Sequence, residues 1–152
     1  MIRIDTWQTA LTEAIEAKRA EPYSIVDFNC LLWACFAIEA QTGIDFYKQF
    51  AGKFKTPAGA AKTLRQIGQV ETCADWLQRC LETEQKHIAF ARKGDIVVAD
   101  IDQAELAEVS DVNLFGAPVG VCYGFNSFFV GFDGLVVVET LELGPSSYGL
   151  SC

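Results

Sequence analysis

Apolar residues recur at helical spacing in the first two-thirds of the chain and at strand spacing in the last third. Near the N-terminus, one apolar residue follows another every three or four positions: Ile4, Trp7, Leu11 and Ile15. This spacing predicts an amphipathic helix over residues 6–18. From residue 29 or 30 to about 41 the chain is apolar nearly all round, which is typical of a buried central helix. Gly43 is a suitable residue to follow its C-terminus.

Two more helices are predicted before the period changes. Thr56 can cap the third helix, Pro57 fits its first turn and Gly68 can end it. We place two apolar residues on its inner face: Leu64 and Ile67. Apolar spacing predicts a fourth helix around residues 73–80.

Short apolar runs separated by turn residues then predict four strands, at 96–99, 119–123, 128–130 and 135–139. A turn around Asn126-Ser127 would join the second and third of these strands. We interpret the acidic stretch 100–111 as an exposed excursion. The segment 144–152 has little to bury, so we expect it to order only on contact with a partner. The pattern predicts one α+β domain over residues 1–152, with N-terminal helices packed on a C-terminal antiparallel sheet.

Composition excludes several classes of function. The chain has 152 residues, is 51% hydrophobic and carries a net charge of -8. A core of ordinary size is therefore expected, and an acidic surface disfavours nucleic acid and anionic lipid as partners. No signal core or run of membrane-spanning length is present, so we expect folding in the cytoplasm.

The six cysteines do not suggest a metal site or a cofactor. No Cys-x-x-Cys pair occurs, and His87 is the only histidine, so zinc is disfavoured. Without an export signal a disulfide framework is also disfavoured, and buried thiols are the simpler interpretation. Cys30 differs from the others because it opens the most apolar helix. The N-terminus of a helix favours the thiolate, so Cys30 is a candidate nucleophile.

Three segments along the chain carry a specific resemblance, and the first of them contains Cys30: Asn29-Cys30, Lys93-Gly94-Asp95-Ile96 and Pro118-Val119-Gly120-Val121. In this order and approximate spacing they resemble the NlpC-type papain-like cysteine peptidases. Those enzymes have Asp-Cys opening a central helix, then a Gly-Asp turn, then a histidine opening the next strand. The resemblance implies a papain-like fold with Cys30 at the nucleophile position.

A tail-associated branch of that superfamily, found in phages and prophages, is the most similar. Its short motifs correspond here to Pro22-Tyr23, Thr42-Gly43 with Asp45, Gly52-Lys53-Phe54, Gly59-Ala60, Gly120-Val121 and Gly134-Leu135. This likeness implies a virion protein of the tail tip, assembled in the host cytoplasm. Its implied partners are other tail proteins, of the hub or distal tail, and peptidoglycan if the protein is an active peptidase.

The chain departs from the pattern of an active peptidase. Asn29 stands where the family has Asp, Ile25-Val26 replaces an upstream Trp-Gly, and Pro118 occupies the histidine position. Proline cannot accept a proton, and a cysteine peptidase needs a base. His87 precedes the Gly-Asp turn, and we interpret it as a surface or helix-end histidine.

Three functions therefore stay open from the sequence. The first is a structural or accessory tail-tip protein with a degenerate peptidase fold, in which Cys30 is vestigial. The second is an active peptidase that cuts peptidoglycan stems, with an unrecognised base. The third is a cytoplasmic binding protein of a prophage.

An aromatic cluster marks the candidate interface: Phe125, Phe128, Phe129 and Phe132. Four aromatic residues around one hairpin cannot all point inward on alternating strands, so some are expected to be exposed. On this interpretation, charged substitutions at Phe128 or Phe129 would block binding to a partner and leave the domain folded.

Overall fold

The computed structural model describes residues 1–100 and 117–152, as helices followed by one antiparallel sheet. The four α-helices in these residues are α1 (Trp7–Lys18), α2 (Cys30–Thr42), α3 (Pro57–Gly68) and α4 (Cys73–Leu81). The six strands are β1 (Lys86–His87), β2 (Ile96–Val98), β3 (Val119–Tyr123), β4 (Asn126–Val130), β5 (Leu135–Glu139) and β6 (Tyr148–Leu150). The predicted α+β class is confirmed. The predicted acidic excursion lies outside the described residues, apart from the exposed Asp100.

The strands form one sheet in the order β1-β6-β2-β3-β4-β5, and each neighbouring pair is antiparallel. Side chains alternate between its two faces. One face joins the main core beneath the helices, where α2 packs on β3 and β4. The other face forms a smaller core that includes Val97, Cys122, Phe129 and Leu143. The sheet is therefore buried on both sides near its centre.

Helix α2 is held at both ends by the residues that the sequence indicated. The Asn29 side chain accepts a hydrogen bond from the Leu32 N–H at 3.0 Å. Gly43 adopts a left-handed conformation with φ 76°, and its N–H donates to the Glu39 carbonyl at 2.8 Å. Such an N-cap contributes about 1 kcal/mol to stability. The cap and the all-round apolar sequence explain why this helix could be predicted.

Helix α3 begins at Pro57 after the Thr56 cap and ends at Gly68, as the sequence indicated. The Thr56 hydroxyl accepts from the Gly59 N–H at 3.0 Å, but the left-handed residue after the helix is Gln69. Gly68 is still helical, and a Cβ there would lie 2.7 Å from the Trp76 ring. This glycine therefore permits close packing of α4. Ile67, expected on the inner face, is 38% exposed.

The hairpin turn between β3 and β4 lies two residues earlier than expected. Gly124 and Phe125 form the loop, and Gly124 has φ +84°. Asn126 and Ser127, which the sequence suggested as the turn, are already in β4. Ser127 is fully buried, and its hydroxyl bonds that of Thr140 at 2.8 Å. Asn and Ser are typical of turns, so the sequence suggested one here. Ser127 can lie inside a strand because its hydroxyl bonds Thr140, which is distant in the sequence.

The prediction that segment 144–152 orders only on contact with a partner is wrong. Residues 148–150 form β6, which pairs with β1 on one side and β2 on the other. Leu150 is fully buried and Ser147 is 2% exposed. Backbone pairing on two sides orders a segment whose composition alone suggested a loose tail.

Candidate functional site

Cys30 is the first residue of α2 and is 5% exposed, which confirms its predicted place in the first turn of a buried helix. The preceding Asn29 is fully buried. Its Oδ1 caps the helix through Leu32, and its Nδ2 donates to the Ile25 carbonyl at 3.1 Å. Asn and Asp are equally good caps, so the departure from the Asp-Cys pair leaves the helix start intact.

The start of α2 lies towards the start of β3. Near its beginning, Trp33 Nε1 donates to the Phe128 carbonyl, in the middle of β4, at 3.1 Å. Near its end, Gln41 Nε2 donates to the Gly94 carbonyl at 2.8 Å. Gly94 precedes β2, and because β2 and β3 are antiparallel, this point lies beside the end of β3. The helix therefore advances with β3, and Cys30 is at the end nearer its first residue.

Pro118 immediately precedes β3 and is buried. Its carbonyl accepts a hydrogen bond from the Ala99 N–H at 2.9 Å, which continues the pairing of β2 with β3. A proline side chain has no donor, acceptor or titratable atom. The position at which the resemblance would place a general base therefore has no group that can take a proton.

His87, the only histidine in the chain, is exposed on β1 at an edge of the sheet. Its Nδ1 accepts from the Ala89 N–H at 3.1 Å and caps a 3-10 helix (Ile88–Phe90). β1 is three strand spacings from β3, on the order of 14 Å. The interpretation of His87 as a surface, helix-end residue is confirmed.

A buried polar cluster joins distant segments at the Gly94-Asp95 turn, and sequence reasoning did not find it. Asp95 is 1% exposed; its carboxylate is 2.5 Å from Lys86 Nζ and accepts from the Arg92 N–H at 2.7 Å. Arg3 NH2 is 3.8 Å from the same carboxylate. The cluster ties the N-terminus and β1 to the turn, and its members are too far apart in sequence to form a motif.

Several of the other thiols are held in their protonated form. Burial raises the pKa of Cys152 and of Cys80 to about 11. Burial, and then the neighbouring Cys73 and Cys80, raise the pKa of Cys35 well above its ordinary value. A nucleophile needs the thiolate, so Cys35, Cys80 and Cys152 are packing residues at neutral pH.

A family model described as a domain of unknown function (DUF6950) matches residues 2–144. The chain belongs to the DUF6950 family. No curated protein and no solved structure matches it. The matched residues include Cys30 and Pro118. The match stops before β6, the strand that lies between β1 and β2 in the sheet.

The aromatic cluster of this DUF6950 domain divides into two exposed and two buried rings. Phe125 is 71% exposed and Phe132 is 59% exposed, both in turns. Phe128 and Phe129 are 8% and 0% exposed, on opposite faces of β4. The expectation that charged substitutions at Phe128 or Phe129 would leave the domain folded is therefore wrong. Phe125 and Phe132 are the members available to a partner.

A groove of about 250 Å³ lies where β2 ends and the chain leads into β3. Asp75, Asp100, Ala117 and Tyr148 are among the residues that line it. Burial raises the pKa of Tyr148, so its hydroxyl stays protonated. These side chains supply two carboxylates and a phenol.

Within residues 1–100 and 117–152, no group of three His, Cys, Asp or Glu side chains is placed to hold a metal ion. Over the same residues, no helix has both the length and the apolar character needed to span a membrane.

Proposed function

We propose that this DUF6950 domain is a structural or accessory component of a phage or prophage-derived tail tip, bound near the tail hub through protein–protein contacts. In this proposal its architecture is that of a degenerate NlpC-like, papain-like peptidase, and Cys30 is a vestigial nucleophile. Fold alone does not give function, so the proposal rests on the site and on the order of the motifs.

The observation that carries the proposal is the pairing of a retained Cys30 with Pro118 in place of a base. Cys30 opens a helix packed on β3, as a papain-like nucleophile does, but the residue at the start of β3 cannot take a proton. The only imidazole of the chain is engaged at the sheet edge, three strands away. Loss of a triad member removes several orders of magnitude of rate, so a binding role is favoured.

The tail-tip location rests on the resemblance of the short motifs, which keep their order from Pro22-Tyr23 to Gly134-Leu135. The net charge of -8 agrees with a protein partner, since it disfavours nucleic acid and anionic membranes. The exposed rings of Phe125 and Phe132 supply apolar surface for such a contact.

Mass spectrometry of purified particles tests this function. Particles from a phage that encodes the chain should contain it at a constant ratio to the tail proteins, after density-gradient purification. A lysate carrying a tail-assembly defect is the matched control, in which the chain should remain unassembled. Absence of the chain from complete particles would show that it has no virion role.

The alternative function is an active tail peptidase that cuts peptidoglycan stems during DNA entry. It is favoured by one observation, the position of Cys30 at a helix N-terminus. The test is release of stem peptides from purified peptidoglycan by the wild-type protein and by Cys30→Ala. We expect no release by either protein. Release that requires Cys30 would establish the alternative and reveal a base other than histidine at position 118.

A further inference from the structure

Strand β5 forms an edge of the sheet, and its hydrogen-bond pattern shows which backbone groups point outward. Thr140 N–H donates to the Phe125 carbonyl, and Gly131 N–H donates to the Gly134 carbonyl. These two bonds lie at the two ends of the β4–β5 pairing. In an antiparallel pair, hydrogen-bonded residues alternate with non-bonded ones, so between these ends Val136 and Val138 bond to β4. Leu135, Val137 and Glu139 therefore direct their N–H and C=O groups away from β4.

Part of this edge is already covered by the end of α1. Leu135 N–H donates to the Arg19 carbonyl at 2.9 Å. The Glu139 C=O belongs to the first turn of the 3-10 helix Thr140–Glu142, which Glu139 precedes. Among the described residues, the four remaining outward groups have no hydrogen-bond partner: Leu135 C=O, Val137 N–H, Val137 C=O and Glu139 N–H. Free edges are usually guarded by Lys, Pro or a bulge. The sequence of β5, Leu-Val-Val-Val-Glu, contains neither Lys nor Pro, and its five residues pair with β4 without a bulge.

The surroundings of the open edge are apolar at the centre and acidic at the ends. Val137 is 52% exposed, and beyond the two ends of β5 lie Phe132 at 59% and Leu141 at 66%. A cavity of about 360 Å³ opens beside the start of the strand, lined by Arg19 and residues 132–136. Asp133 and Glu139 are exposed at either end of β5, and Arg19 already pairs with Glu16 at 2.8 Å.

We infer that β5 is a strand-addition site, at which an extended segment of a partner protein pairs with Val137 and Glu139. The partner segment carries apolar side chains on alternate residues and Lys or Arg at its ends, to match Asp133 and Glu139. This inference deepens the proposed function, on which it rests, by naming the surface and the mode of contact. Strand addition uses main-chain hydrogen bonds for affinity and alternate side chains for specificity.

The same charges argue against a second copy of this chain as the occupant. Each copy has a net charge of -8, and pairing two β5 edges brings four exposed carboxylates to one seam. Pairing centred on Val137 would also set Glu139 of one copy against the Leu135 edge that Arg19 covers. A basic strand from another protein avoids the repulsion between carboxylates, and it can pair with Val137 and Glu139 without reaching Leu135.

The test uses isotope-labelled full-length protein and a short probe peptide of alternating valine and threonine with a lysine at each end. We expect the probe to slow hydrogen exchange at the Val137 and Glu139 amides. Val137→Pro removes one outward N–H without touching the ladder, and proline is tolerated there on an edge strand. It should weaken probe binding about tenfold or more, whereas Val137→Thr, which keeps the N–H, should bind as the wild type does.

Glu139→Lys supplies a second variant that keeps the backbone, and it should also weaken binding of the basic probe. Circular dichroism melting checks that each variant is folded. The inference is overturned if the probe protects neither amide, or if a folded Val137→Pro binds unchanged. It is also overturned if raising the protein concentration alone protects these amides, which would identify a second copy as the occupant. Absence of the chain from phage particles would remove the tail function and leave this result standing.

Discussion

Residues whose partners are distant in sequence decide how the site is built. Asn29 and Gly94 were visible in the sequence as parts of motifs, but their contacts were not. Asn29 bonds both the helix and the Ile25 carbonyl, and Gly94 lies against Gln41 and Arg3. Sequence reasoning could single out Cys30 and Pro118 as candidate positions because a motif has local order. It missed the cluster around Asp95 because Arg3 and Lys86 come close to Asp95 only in the folded protein.

At Asn29 the amide is needed for its nitrogen as well as its oxygen. We expect Asn29→Asp to destabilise the protein by about 1–3 kcal/mol although Asp is an equal cap. The carboxylate oxygen that replaces Nδ2 would face the Ile25 carbonyl in a site with no exposure to water. Urea unfolding at neutral pH measures the change, with the solvent-exposed Asp27→Asn as control. Unchanged stability of Asn29→Asp would show that the Nδ2 bond contributes nothing.

Gly94 combines a left-handed backbone with a close approach. Its φ is +92°, and a Cβ would lie against Gln41 Oε1 and 2.8 Å from Arg3 NH2. Gly52 is a matched control, because its φ is +71° and nothing lies within 4 Å of its Cβ position. Gly52→Ala should cost about 1–2 kcal/mol for the backbone alone. Gly94→Ala should cost at least about 2 kcal/mol more by thermal unfolding, and equal costs would refute the close approach.

Helices and strands differ in how much of them the sequence reveals. The four α-helices were predicted because caps and helical periodicity are local signals. β1 and β6, with two and three residues, were missed because their order comes from pairing with each other and with β2. A strand this short has no period to detect, and its composition resembles a loop.

The position of β6 makes Leu150 a core residue of the sheet. Leu150 is fully buried, so Leu150→Ala should cost about 2–5 kcal/mol. Leu141, which is 66% exposed, provides the control, and Leu141→Ala should stay within about 0.5 kcal/mol. Urea denaturation of both variants decides the matter. Similar small costs would mean that the C-terminal segment is a loose tail after all.

For the whole molecule, the α+β class could be predicted because helical spacing in the first part of the chain is followed by strand spacing in the last part. The arrangement of the strands in the sheet could not be predicted. Long-range pairing placed β6 between β1 and β2, and no local signal encodes that choice. The same limit applies to the surface: alternation predicted that some rings of the hairpin would be exposed, but Phe128 and Phe129, which were expected to tolerate a charge, are buried. Phe125 and Phe132 are the exposed pair because they lie in turns.

If the domain acts in the tail through these rings, Phe125→Asp and Phe132→Asp should fold normally and fail to enter particles. Both side chains are more than half exposed, so unfolding free energies should change by less than about 0.5 kcal/mol. Phe129→Asp is the contrast, because it buries a charge and should prevent folding. Quantifying the chain in purified particles checks incorporation. Normal incorporation of both turn variants would exclude these rings from the interface.

The late position of β6 in the chain also determines when the sheet can be completed during synthesis. On a ribosome, β1, β2, β3, β4 and β5 all emerge before residues 148–150, and until then β1 has no strand to pair with and β2 is an open edge. Pairing of distant segments is slow, and unpaired edges invite association with other chains. We expect nascent chains halted before residue 148 to be digested by protease in the β1 region, and chains extended beyond residue 152 by a linker to resist.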